Sequence, residues 1–251
     1  MSGHSKWATT KHKKGALDKA RGKLFAKIIR QVEVAAREGG GDLDANPTLR
    51  TMFQKARDAS VPMDTIERAI KRGTGELEGV RYEAAVYEGY APLGVAVIVE
   101  VLTDNRNRTG SDVRAIFSKN GGSMAEPGAV AWQFERKGVV TVAHDPKVTE
   151  DDLTLVAADA GADDVRDNGE AWEVLTPPGE LAAVLAAIEA NGWPATSSEL
   201  TMQATQSVPI ESQADARKVL RLIDLLDEHD DVQNVWANFD IPDSVMDLVE
   251  V

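Results

Sequence analysis

The pattern of apolar residues changes at one point of the chain, and this change limits the possible folds more than any other feature. Before the sequence Gly73-Thr74-Gly75, apolar residues recur every three or four positions, which is typical of amphipathic helices. After it, alternating and continuous apolar runs predict strands separated by helices. The chain is therefore expected to begin with a helical domain and to continue as an α/β protein.

Three helices are predicted before this change. The first runs from about Gly15 to Arg37 and has one apolar stripe. The second begins at Pro47, directly after the cap residue Asn46, and runs to about residue 60. The third runs from Pro62 to Gly73 and has acidic residues in its first turn. These three amphipathic helices predict a small bundle.

The later elements predict two α/β domains. The run from Leu93 to Leu102 is almost continuously apolar, which is typical of a strand in the middle of a sheet, and residues 84–90 form the strand before it. From residue 139 to about 204, the order strand-helix-strand-strand-helix-strand is the split βαβ pattern. A strand, a helix and a strand between 207 and 239 would complete the sheet that begins at residue 84.

The predicted fold class is α+β, with an N-terminal three-helix domain followed by two α/β domains, of which the second is ferredoxin-like and inserted into the first. The predicted domains are 1–78 for the basic arm and helices, 79–131 plus 206–251 for the α/β domain, and 132–205 for the insertion. We also predict separate strands at 130–135 and 139–143, and a helix from about Gly110 to Lys119.

Basic charge is concentrated at the N-terminal end of an acidic chain. Residues 1–78 carry sixteen Lys or Arg and ten Asp or Glu, whereas the remaining 173 residues carry twelve and thirty-one, in a chain of net charge -13. Clustered cations release counterions when they meet phosphates, so the N-terminal end is expected to face a polyanion. The alternative is that the basic segment folds back onto the acidic remainder of its own chain.

The candidate nucleic-acid-binding residues lie in three places. Residues 1–14 form an arm without an apolar face, in which Trp7 either stacks on a base or anchors the arm to the helical domain. The first helix carries a basic ridge that could follow a phosphate backbone. Arg106 and Arg108 lie between a strand and a helix, where they either bind phosphate or pair with nearby carboxylates. The complete set is Lys6, Trp7, Lys11, Lys13, Lys14, Lys19, Lys23, Lys27, Arg30, Arg106 and Arg108.

Several classes of function have no support in the sequence. The absence of cysteine excludes disulfides and thiol chemistry and favours the reducing cytoplasm. No signal peptide and no run of about eighteen apolar residues is present, so no membrane association is expected. The four histidines are scattered and there is no phosphate-binding glycine motif, so we expect no enzymatic activity, no cofactor and no metal site.

Five stretches of the chain together resemble the YebC family. They are SGHSKWATTKHKKGALDKARGKLFAKIIR, AAREGGGDLDANPTLR, IERAIKRGTG, YEGYAPLGVAVIVEVLTDNRNRT and IFSKNGGSMAEPGAVAWQFERKG. Bacterial members of that family are named as probable transcriptional regulators, and mitochondrial relatives are translational activators of a cytochrome oxidase subunit. The resemblance implies a helical domain followed by an α/β domain that a second α/β domain interrupts. This chain departs from the family pattern at Ala91, Leu93 and Ala125, where glycine is common.

Two functions remain open at this level. One is a DNA-binding transcriptional regulator that grips phosphates with the basic arm and helix, as the names of bacterial relatives imply. The other is a ribosome-associated translation factor that binds ribosomal RNA with the same surface, as the mitochondrial relatives imply. An extended basic arm with one aromatic residue suits the recognition of shape and phosphate at least as well as base readout in a groove.

Overall fold

A computed structural model describes residues 17–169 and 171–249, with side chains from residue 22 onward except that of Asp243. The described chain forms two compact units. Residues 132–207 form one unit, and the described residues before and after them form the other, so the first unit is an insertion in the second. The fold class is α+β, with N-terminal helices followed by sheet domains, as predicted.

The elements are numbered along the chain. The helices are α1 (Leu17–Gly39), α2 (Pro47–Asp58), α3 (Met63–Thr74), α4 (Arg106–Lys119), α5 (Glu150–Asp159), α6 (Leu181–Ala190), α7 (Gln213–Asp227) and α8 (Asp243–Met246). The strands are β1 (Glu83–Tyr90), β2 (Ala96–Thr103), β3 (Ser123–Ala125), β4 (Phe134–Ala143), β5 (Asp164–Asp167), β6 (Ala171–Thr176), β7 (Ala195–Ala204), β8 (Val208–Pro209), β9 (Val232–Ala237) and β10 (Phe239–Asp240). No described helix has the length and apolar character needed to cross a membrane.

The three N-terminal helices pack around a core of their own, which includes the fully buried residues Val32, Leu49 and Ile66. The predicted cap of α2 is confirmed, because the Asn46 side chain accepts a hydrogen bond from the Leu49 amide at 3.0 Å. Helices α1 and α3 approach closely at Gly73, where an added Cβ would lie 2.4 Å from the Glu33 carbonyl oxygen. The helix crossing therefore requires glycine at this position.

The α/β part of the second unit contains a four-stranded antiparallel sheet in the order β3-β1-β2-β9. Strand β2 lies between β1 and β9 and is buried on nearly its whole length, as its continuous apolar sequence predicts. Helices α4 and α7 supply Phe117 and Leu222 to the core on one face of this sheet. The short strands β8 and β10 form a separate parallel pair. The last strand predicted between 207 and 239 is therefore divided at Asn238 into β9 and β10.

The insertion has the ferredoxin-like arrangement. Its four strands are antiparallel in the order β5-β6-β4-β7, and α5 and α6 contribute Leu153 and Ile188 to its core. The prediction of two strands at 130–135 and 139–143 was wrong, because β4 is continuous. Residues 136–138 pair in register with β7, and Gly138 fits there because an added Cβ would lie 2.5 Å from the Thr176 hydroxyl.

A buried carboxylate organises the loop that precedes the insertion. Glu88 in β1 is buried, and its side chain accepts hydrogen bonds from the amides of Gly128, Val130 and Ala131 at 2.6, 2.7 and 2.9 Å. Burial alone would raise the pKa of the Glu88 carboxyl, but the three backbone hydrogen bonds outweigh burial and hold the pKa below its ordinary value. The ionised side chain therefore fixes the course of residues 128–131.

The departures from the family pattern have different structural consequences. Leu93 has a φ of 67°, in the left-handed region that favours glycine, and its side chain is exposed. Ala91 has a φ of -77°, which any residue adopts. Ala125 lies in β3 and pairs with Glu88. Only Leu93 among these three residues therefore places a side chain where glycine is conformationally preferred.

Three hydrophobic clusters lie in the helical part, the α/β part and the insertion. They support a division into three domains, at 1–78, 79–131 plus 206–251, and 132–205, which we retain as a proposal.

Candidate nucleic-acid interface

The predicted basic ridge on α1 contacts an acidic segment of the same chain. Lys23, Lys27 and Arg30 follow one another at intervals of four and three residues, which places them on one helix face. The Lys23 ammonium donates to the Glu228 carbonyl at 2.9 Å. The Lys27 ammonium donates to the Asp227 carbonyl at 2.9 Å and to its carboxylate at 3.1 Å.

Arg30 completes this contact. Its guanidinium donates to the Asp230 carbonyl and, at 3.1 Å, to the Asp231 carboxylate. The side chains of Lys27 and Arg30 are only 15% and 19% exposed. Of the two alternatives, contact with the acidic remainder of the same chain therefore holds for these cations, because the acidic segment covers them. Their binding to nucleic acid stays a prediction.

The acidic segment comprises Asp227–Asp231, with the sequence DEHDD, at the C-terminal end of α7. A helix C-terminus carries partial negative charge on its unpaired carbonyl groups, and acidic side chains there are unfavourable. The last turn of α7 contains no basic residue. The cations of α1 supply the missing positive charge, so this contact satisfies carbonyl groups and carboxylates together.

Asp231 is the buried centre of the contact. Its carboxylate accepts hydrogen bonds from Arg108 at 2.8 Å and from the hydroxyl of Thr109 at 2.7 Å, and Thr103 lies at 3.3 Å. Burial alone would raise the pKa of Asp231, but the hydrogen bonds from Arg108 and Thr109 and the charges of Arg30 and Arg108 outweigh it and lower the pKa. Asp231 therefore links α1 to β2 and α4 in its ionised form.

Arg106 and Arg108 have different surroundings. The structure places both in the first turn of α4, which begins at Arg106 and not at Gly110, because the Asn105 side chain accepts from the Arg108 amide and caps the helix. Arg108 pairs with Asp104 at 2.7 Å as well as with Asp231, and hydrogen bonds to these carboxylates raise its pKa. Arg106 is exposed and has no ion-pair partner among the described residues. Of the two alternatives, carboxylate pairing holds for Arg108.

Other predicted site residues lie outside the described part of the chain. These are Lys6, Trp7, Lys11, Lys13 and Lys14. Lys19 lies in α1, but its side chain also falls outside the description. Their contacts with nucleic acid stay predictions.

A second junction engages the remaining described cation of α1. Glu33 is buried, and its carboxylate accepts from Arg72 at 2.9 Å and from Arg37 at 3.3 Å. Arg37 also donates to the Val80 carbonyl at 3.1 Å, which ties the segment after α3 to α1. Every basic side chain of α1 from residue 22 onward therefore has an intramolecular partner.

The cavity beside the acidic segment does not suit an anionic ligand. It has a volume of about 660 Å³ and is lined by three basic side chains, Lys23, Arg30 and Arg108, and by five acidic ones. Within the described residues, no group of three or more His, Asp or Glu side chains could hold a metal ion. Phosphate binding by the basic segment before residue 22 stays a prediction.

The fold and its contacts define a class of protein: an α+β protein in which a basic N-terminal helix docks on an α/β part that carries a ferredoxin-like insertion. Two family models match the chain, the TACO1/YebC protein N-terminal domain over residues 5–76 and the TACO1/YebC second and third domain over residues 82–239. The chain belongs to the TACO1/YebC family, and the resemblance found in the sequence is confirmed.

Curated relatives match nearly the whole chain. One from Thermobifida fusca is 56% identical over 249 residues and covers 98% of both chains, and one from Syntrophobacter fumaroxidans is 53% identical over 249 residues and covers 99% of this chain and 100% of the relative. Both are named "probable transcriptional regulatory protein". The crystal structure of a conserved hypothetical protein from Aquifex aeolicus is 46% identical, with a TM-score of 0.81 over 90% of this chain and 93% of that one. The two curated relatives are thus named as regulators.

Proposed function

We propose that this protein is a DNA-binding transcriptional regulator that holds phosphates with its basic N-terminal segment. The distribution of charge carries the proposal. Residues 1–21 contain six Lys or Arg and one acid, Asp18, in a chain of net charge -13. Because the described cations of α1 have intramolecular partners, we assign phosphate binding to this segment.

The names of the curated relatives support transcription as the process. The alternative, a translation factor that binds ribosomal RNA, uses the same segment and is an outcome of the same test. Exposed lysines on an arm bind phosphates of either nucleic acid, whereas reading of the base sequence needs side chains held against base edges.

The salt dependence of binding tests the proposal. About six phosphate contacts should give a slope of log K against log salt of about -5 on duplex DNA and about -4 on single-stranded RNA. Fluorescence anisotropy of labelled 30-base-pair DNA and of an RNA of equal length, with the full chain, measures both slopes. A slope near zero on both would refute phosphate recognition.

A triple variant locates the site. Replacing Lys11, Lys13 and Lys14 by Gln should make the duplex slope less steep by about 2.7. The matched control replaces Arg114, Lys119 and Arg136 by Gln, since these exposed cations of the described chain have no ion-pair partner. Equal effects of the two triple variants would place the site elsewhere.

A second assay separates the two nucleic acids in the cell. A sequence-selective footprint on promoter DNA would support the transcriptional role. Comigration with ribosomes on a sucrose gradient that survives DNase would support the translational alternative and overturn the transcriptional one.

A further inference from the structure

We propose that the acidic segment Asp227–Asp231 is an internal competitor of nucleic acid, which occupies Lys23, Lys27 and Arg30 until phosphates displace it. This inference rests on the proposed function and assigns a regulation to the same basic surface. In the described structure the three cations are bonded to the segment, and on a polyanion they would add to the contacts of residues 1–21.

The acceptors of the segment resemble those of a nucleic-acid backbone. Along α1, Lys23 and Arg30 are seven positions apart, or about 10 Å at a rise of about 1.5 Å per residue. Opposite them, the segment presents the carbonyl oxygens of Asp227, Glu228 and Asp230 and the carboxylates of Asp227 and Asp231. A row of anionic and carbonyl oxygens at this spacing satisfies the same donors that would bind successive phosphates.

The local sequence of α7 is unfavourable unless α1 is docked. Four of the five residues of the segment are acidic and lie at a helix C-terminus, where they oppose the helix dipole and one another. Natural sequences are locally consistent except at functional sites, so this conflict indicates a function for the docked state. Undocking of α1 restores the conflict, which keeps the docked state favoured in the absence of nucleic acid.

The segment is also held by elements other than α1. Asp231 is held by Arg108, Thr109 and Thr103, which belong to β2 and α4. The helices α1–α3 are contiguous in sequence and join β1 through one stretch, residues 75–82, in which 75–81 are exposed. The acidic segment can therefore keep its structure while the helical part moves away from it.

Cross-linking tests the exchange directly. A carbodiimide joins an amine and a carboxylate in direct contact, and the Lys27 ammonium lies 3.1 Å from the Asp227 carboxylate. We expect this cross-link in the free full-length protein, detected by peptide mass spectrometry, and at least a fivefold loss of it after saturation with 30-base-pair duplex DNA. The matched control is the pair Lys137 and Asp163 in the insertion, at 3.0 Å, whose cross-link should not change.

The outcomes separate the two proposals. If DNA binds and the cross-link between Lys27 and Asp227 keeps its yield, the competition is refuted and the proposed function survives. If neither DNA nor RNA binds at any salt concentration, both proposals fail. Loss of this cross-link with RNA and not with DNA would support the competition and overturn DNA as the partner.

Neutralising the segment gives an independent readout. The variant D227N/E228Q/D230N, which leaves Asp231 in place, should bind duplex DNA about tenfold more tightly and with a slope steeper by up to about 2.7. The control E180Q/E189Q/E199Q makes the same change in net charge at exposed positions of the insertion. Equal tightening by the two variants would show a general charge effect and refute the competition.

Discussion

Removal of the Asp231 carboxylate should specifically weaken the docking of α1 on the α/β part. In D231A, the guanidinium groups of Arg30 and Arg108 lose a shared acceptor that is only 6% exposed. The remaining partners limit the damage. Arg30 keeps the Asp230 carbonyl, Arg108 keeps Asp104, and the hydroxyls of Thr103 and Thr109 keep their mutual bond at 2.7 Å.

The expected cost follows from these contacts. Breaking a buried pair by removing one partner costs about 3–5 kcal/mol, and we expect the lower end, about 3 kcal/mol, because each donor keeps another acceptor. For a unit of this size, such a loss lowers Tm by about 6–12 °C. Because folding lowers the pKa of Asp231, its contribution is present above the unfolded value near 3.9 and is lost as pH falls through the folded value.

Differential scanning calorimetry at pH 7 and at pH 3 measures both effects. The matched control is D230A. This substitution removes the same charge one residue away, from an exposed side chain, and the backbone carbonyl of residue 230 still accepts from Arg30. We expect D230A to shift Tm by less than about 2 °C. Equal shifts for D230A and D231A at pH 7, or a D231A deficit that grows in acid, would refute this account of the docking.

Two further changes test the α/β part. E88Q should cost about 2 kcal/mol at pH 7, because the amide of Gln replaces one carboxylate oxygen, which accepts backbone N–H bonds, by an NH2 donor. Folding lowers the pKa of Glu88, so the stability that its ionised form contributes is lost as pH falls, and the deficit of E88Q should shrink below about pH 4. The exposed Glu83 of the same strand gives the control E83Q, and equal losses in thermal unfolding would contradict the role of Glu88. L93G should raise the free energy of unfolding by between about 0 and 1 kcal/mol. Glycine removes the strain of the left-handed φ, which costs about 1–2 kcal/mol, and this gain outweighs the added freedom of the unfolded chain. L93A retains the Cβ and should give no such gain in urea unfolding, so an L93G variant less stable than L93A would exclude strain at this position.

Local sequence patterns predicted most of the elements because each element carries its own periodicity and caps. Asn46 and Pro47 mark the start of α2, and the predicted split βαβ pattern ends at about residue 204, where β7 ends. The start of α4 was misplaced by four residues because its first turn, Arg-Asn-Arg-Thr, is polar and shows no apolar period. The cap residue Asn105 was the available indication.

The partners of the basic helix could not be predicted in the same way. Lys27 and Asp227 are 200 positions apart in the chain, and no local period relates them. The sequence did contain one indication, the run of acids after α7 with no basic residue in its last turn. Acids at a helix C-terminus predict a cationic partner from elsewhere in the molecule, but they do not identify which of the cations it is.

Salt should weaken phosphate binding by residues 1–21 more than it weakens the docking of α1 on the acidic segment, so the two contacts can be separated experimentally. Exposed contacts of residues 1–21 with phosphates are screened within a Debye length of about 10 Å at 0.1 M salt, whereas the contacts of Lys27 and Arg30 with the acidic segment are partly buried and are screened less. Added salt should therefore release the nucleic acid, after which α1 docks again on the acidic segment and the cross-link between Lys27 and Asp227 returns. If the nucleic acid is released and this cross-link does not return, the result contradicts the competition.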